Sequence, residues 1–83
     1  MNKKREHLLE DLLTGWFFMS ENSLGVGALG FHGYNGNTVV YKLNTDYMDF
    51  YEFHRADLIA MLKPYGYEMW QTEEYLNVMD VSK

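Results

Sequence analysis

The chain has 83 residues, no cysteine and a formal charge of −5, and 14 of its residues are Phe, Tyr or Trp. That length leaves room for one core, burying roughly 60–65% of the surface the unfolded form exposes, so residues 1–83 are expected to form a single domain. Without thiols, disulfides, thiolate zinc sites and cysteine nucleophiles are excluded, and the rings must supply much of the buried area.

Leu8, Leu9, Leu12, Leu13, Trp16 and Phe17 recur at the spacing of one helical face, with Glu6, Glu10 and Asp11 on the other, which predicts a helix from about Lys4. Gly15 leaves its end open. It is either the C-terminal cap after Thr14 or an interior glycine ahead of Trp16–Met19, and in both cases Trp16 and Phe17 are expected to be buried. Lys3, Lys4 and Arg5 ahead of the leucines do not make an export signal, because Glu10 and Asp11 interrupt the apolar run and no small-residue cleavage site follows.

From Leu24 to Leu43 the periodicity changes and glycines punctuate the chain. Asn22 to Tyr41 is uncharged and long enough to span a bilayer, but its five glycines and three asparagines are the chemistry of strands and loops. Asn35-Gly36 predicts a hairpin with a type I′ turn, which places Phe31 opposite Val40, His32 opposite Val39 and Gly30 opposite Tyr41. In that register the Tyr41 ring covers the bare Gly30 backbone.

Asn44, Thr45 and Asp46 are all capable of capping a helix over Tyr47–Lys63, with Phe50, Phe53 or His54, Leu58, Met61 and Leu62 on its apolar side. Ala56–Lys63 reads as helix; the rings of Tyr47–Phe53 also suit a strand. Pro64 and Gly66 end the element. Tyr67–Thr72 and Tyr75–Val81 read as two strands about Glu73-Glu74, with a terminal helix over Glu73–Val81 as the alternative. The resulting order is α-β-β-α-β-β, an α+β fold with an antiparallel sheet and its helices packed on one face.

Gly25-Val26-Gly27-Ala28-Leu29-Gly30 has the G-x-G-x-x-G spacing of dinucleotide-binding folds. That chemistry needs a strand before the glycines and a helix opening after them; here a helix precedes and a hairpin follows, so a twisted or bulged strand, closely approached by a ring or another backbone, is the expected reading. His7, His32 and His54 have no second histidine at helical metal-binding spacing, and no nucleophile-base pattern surrounds them. No cofactor, metal or catalytic residue is expected. The six methionines are scattered, and Met61 and Met69 are expected to fill the core.

Between Glu6 and Ser82, twelve carboxylates face only Lys42, Arg55 and Lys63. Such a surface repels phosphates and steers basic partners, which argues against direct nucleic-acid binding. Asp46, Tyr47, Asp49, Tyr51, Glu52, Trp70, Glu73, Glu74 and Tyr75 interleave acids with rings, a combination suited to a partner-binding surface. Asp46 and Asp49 also complement a helix start, and several of the rings are equally suited to the core. The small, acidic, aromatic, cysteine-free profile is similar in composition to that of proteins that phages and mobile elements direct against host nucleic-acid-binding machinery, anti-CRISPR proteins among them. It implies a non-enzymatic, cytoplasmic inhibitor of a protein with a basic surface. An anionic-ligand module acting as an oligomer, with a nest in glycines 25–36, and a self-assembling subunit are the alternatives.

Overall fold

The computed structural model describes residues 1–19 and 29–82. In chain order these are helix α1 (Lys3–Met19), strands β1 (Leu29–Asn35) and β2 (Thr38–Leu43), helix α2 (Met48–Leu62), and strands β3 (Tyr67–Thr72) and β4 (Tyr75–Asp80). A single 3-10 turn leads into α2 (Thr45–Tyr47) and another follows it (Lys63–Tyr65). The four strands form one antiparallel sheet in the order β1-β2-β4-β3, so β1 and β3 are its edges. The α+β class and the α-β-β-α-β-β order are those expected from the sequence, and the last segment is the expected strand pair rather than the alternative helix over Glu73–Val81.

The sheet pairings place Val39 beside Val78, Val78 beside Met69, and Tyr41 beside Leu76. These side chains and Leu43 and Tyr67 form one face, and Leu9, Leu13 and Phe17 of α1 with Tyr51, Leu58 and Leu62 of α2 complete the core against it. Each fully buried leucine contributes roughly 1.5–3 kcal/mol relative to exposure. Thr38, Val40, Lys42, Trp70, Thr72, Tyr75, Asn77 and Met79 alternate onto the other face, away from the helix-packed core.

α1 runs through Gly15 to Met19, so that glycine is interior rather than a cap. Phe17 is buried as expected, while Trp16 is half-buried, with its ring 5.9 Å from Phe50 and 6.2 Å from His54 across the two helices. Tyr47–Phe53 resolves as the 3-10 turn and the start of α2. Of the capping candidates, Asn44 acts first: its side chain accepts from the Asp46 amide at 3.0 Å. The buried side of α2 is Tyr51, Leu58 and Leu62, which leaves Phe53 pointing outward at 84% exposure.

The hairpin register differs from expectation. Asn35 pairs with Thr38, so the loop residues are Gly36 and Asn37, and a bulge at His32 shifts the rest, setting Phe31 opposite Tyr41 and Gly30 opposite Lys42. Gly36 has φ 63° while Asn37 is not in the positive-φ region, the sign pattern of a type II′ turn, which takes glycine at its first central position. Tyr41 therefore does not cover Gly30, and a Cβ built there meets nothing within 4 Å. Close approach does not explain that glycine, whereas the bulged strand is observed. Gly25–Ala28, the bulk of the G-x-G-x-x-G segment, lies outside the described residues.

Candidate functional site

The acidic candidates converge on one end of the sheet. Leu43 closes β2 there and donates its amide to the Glu74 carbonyl at 2.8 Å, while the chain turns through Asp46 into α2. Gln71 fixes the neighbouring β3–β4 turn: its side-chain amide donates to the Glu73 carbonyl at 2.7 Å and reaches Met48 Sδ at 3.4 Å. The Glu73-Glu74 turn is thereby held beside the 3-10 turn that carries Asp46 and the start of α2, which carries Asp49 and Glu52.

Asp46, Asp49, Glu52 and Glu73 are exposed, and among the described residues none lies within 4 Å of a basic side chain. Glu74 differs, since it is half-buried and pairs loosely with Lys42 at 3.9 Å. Among the described residues no three His, Asp or Glu side chains are grouped so as to hold a metal ion. The end is a field of separate negative charges, whose influence extends through solvent over a distance of order the Debye length, about 10 Å at 0.1 M salt.

The rings divide differently. Tyr51 is fully buried in the core, so as a partner-binding residue it is corrected: its position on α2 points between the helix and the sheet. Tyr47 is half-buried against the same core. Trp70, 42% exposed, and the half-buried Tyr75 lie on the opposite face of the sheet, and Tyr75 packs its ring 4.7 Å from that of His32. The residues interleaved in sequence thus occupy both sides of the sheet, because neighbours along a strand alternate faces and α2 crosses one face only.

Two groups outside the interleaved set are equally prominent. Phe31 and Tyr34 are 60% and 61% exposed at the β1 edge, with ring centroids 5.3 Å apart, and the Tyr34 hydroxyl donates to both Glu6 carboxylate oxygens at 2.7 and 2.6 Å. Phe53 and His54 add a second ring cluster beside Phe50 and Trp16. The exposure of Phe31 and Tyr34 has no signal in a linear pattern, since it follows from β1 being an edge and from the bulge that puts both rings on one side.

The histidines are separate. His7 is exposed on α1, His32 rests on Tyr75, and His54 sits among rings with Nδ1 3.8 Å from an Asp57 oxygen. A shallow depression runs over Gly30, Phe31, His32, Lys42, Asn44 and Glu74; its one lysine faces Glu74, which weakens it as an anion site. No helix among the described residues is long and apolar enough to cross a membrane. Compared with protein-family models, curated proteins and solved structures, the chain shows no significant match.

Proposed function

We propose that the protein is a non-enzymatic binding protein that engages the basic surface of a nucleic-acid-handling protein, an inhibitor of the kind phages and mobile elements direct against host defence. The observation that supports this reading is that Asp46, Asp49, Glu52 and Glu73, gathered at one end of the sheet, have no basic side chain within 4 Å among the described residues. Carboxylates held exposed without internal partners add little to the fold, and like-charge neighbours cost it stability. They suit a surface that draws in a cationic groove, where complementary charge sets the association rate.

Affinity capture from a host lysate tests the reading. The expected result is retention of a nucleic-acid-binding protein that is released by added DNA or RNA, slowed in association by Asp49→Lys with Glu52→Lys, and weakened by raising salt from 0.1 M to about 1 M, where the Debye length falls to about 3 Å. Retention indifferent to salt, to nucleic acid and to both reversals would remove the electrostatic mechanism. Turnover of a substrate by the purified protein would remove the non-enzymatic assignment.

A further inference from the structure

The corner between the outer edge of β1 and the flank of α1 combines a strand edge, exposed rings, carboxylates and bare glycines. Among the described residues β1 pairs with β2 alone, so its other side is an edge that presents backbone groups for pairing. On the helix side of the sheet it carries the exposed Phe31 and Tyr34 rings. Tyr34 holds the Glu6 carboxylate there, and Glu10 lies close enough that its charge, with that of Glu6, adds to burial in raising the pKa of the Tyr41 hydroxyl. Neither Glu6 nor Glu10 has a basic side chain within 4 Å among the described residues. On the other side of the same strand Gly30 and Gly33 are bare, and a Cβ at either meets nothing within 4 Å among the described residues.

We propose that β1 accepts, as an added strand, an extended segment of a partner protein in which Lys or Arg alternates with apolar residues. The proposal rests on the reading above that the partner is basic. Residues of an added strand alternate between faces. Those on the helix side meet the ring faces of Phe31 and Tyr34 and the carboxylates of Glu6 and Glu10, an arrangement that favours a cation. Those on the far side lie over Gly30 and Gly33, where the missing side chains leave room for apolar groups. A second copy of this chain fits less well, because β1 against β1 brings Glu6 and Glu10 of both copies to one seam.

The test uses the full chain and a synthetic octapeptide alternating lysine and valine, followed through the backbone amide resonances. The expected result is perturbation and slowed exchange confined to 29–35 and the adjoining flank of α1. The Kd should rise at least tenfold with Glu6→Gln plus Glu10→Gln, and again with Phe31→Ser, in variants whose circular dichroism is unchanged. N-methylation of alternate peptide amides should abolish binding, since it removes the donors an added strand needs. The proposal is overturned by no perturbation at millimolar peptide, by perturbation centred on the start of α2, by equal binding of the N-methylated peptide or of a glutamate-valine peptide, or by β1 protection that appears on self-association without peptide. A captured basic partner whose binding ignores the β1 variants sinks this inference and leaves the proposed function standing. Peptide addition to β1 without any basic partner does the reverse.

Discussion

The Arg5 guanidinium in the first turn of α1 grips Asp80, the last residue of β4, through two hydrogen bonds of 3.1 Å each. Arg5 also lies 4.3 Å from the centre of the Tyr67 ring, and Ser82 donates to Asp80 from its amide at 3.0 Å and its hydroxyl at 2.6 Å. The Tyr67 hydroxyl returns a hydrogen bond to the Arg5 carbonyl. This clamp fastens the beginning of the chain to its end.

The clamp makes stability depend on acid. The hydrogen bond from Arg5, followed by those from Ser82, holds the Asp80 carboxyl down at about 2 against its ordinary 3.8. A carboxyl lowered on folding contributes stability that is complete above the unfolded value and is lost as pH falls through the folded one, here between about pH 4 and pH 2. Discounted for solvent screening, the contribution is about 1 kcal/mol. Urea melts should show Asp80→Asn less stable than wild type at pH 6 and nearly equal to it at pH 2; a gap of the same size at both pH values would assign the loss to something other than this ionisation.

Tyr51 carries a cost at the centre of the core. Its hydroxyl is buried and has no hydrogen-bond partner among the described residues, an arrangement that costs about 1–3 kcal/mol. Tyr51→Phe is therefore expected to leave stability unchanged or raise it by about 1 kcal/mol, while Tyr51→Ala should lose about 3–5 kcal/mol through the cavity. A clearly destabilised Tyr51→Phe in thermal melts would mean that the hydroxyl has a partner in solution.

Gly36 and Gly66 both have positive φ, 63° and 87°, but their surroundings differ. A Cβ at Gly36 meets open space, whereas one at Gly66 falls 2.7 Å from Ser82 Cβ and 3.0 Å from the Arg5 guanidinium. Gly36→Val should thus cost about 1 kcal/mol for backbone strain alone. Gly66→Ala should cost about 2 kcal/mol or more, since the new methyl displaces the clamp as well. Equal losses for the two in chemical denaturation would contradict the steric difference.

Glu73 has φ 55° in the β3–β4 turn, a left-handed conformation that costs a non-glycine residue about 1–2 kcal/mol. Glu73→Gly removes that strain but enlarges the freedom of the unfolded chain, for a net gain of up to about 1 kcal/mol. If the carboxylate serves a basic partner, the same variant should be more stable and associate more slowly. A melting temperature below wild type would show that the glutamate supports the turn.

Local chemistry is what the sequence by itself determined. The leucine spacing of α1, the Pro64–Gly66 stop after α2 and the Glu73-Glu74 reversal between β3 and β4 each depend on neighbours within a few residues, and so does the α-β-β-α-β-β order that follows from them. The Asn-Gly signal located the first hairpin but misplaced its loop by one residue, because a bulge at His32 and the pairing of β2 with β4 set the register from outside the turn. Only the tertiary structure decided which rings face water. Tyr51 sinks into the core while Phe31, Tyr34 and Phe53 stand exposed, since burial depends on which face of an element meets the sheet and on which strand is an edge. The same holds for charge. Arg5, one of three consecutive basic residues, is singled out by Asp80 from 75 positions away, and the acids beside α2 are joined by those of the β3–β4 turn because antiparallel pairing returns that turn to the end of β2. Periodicity records what a residue's own element does with it, and the partners that turn a side chain into core, clamp or surface come from elements far along the chain.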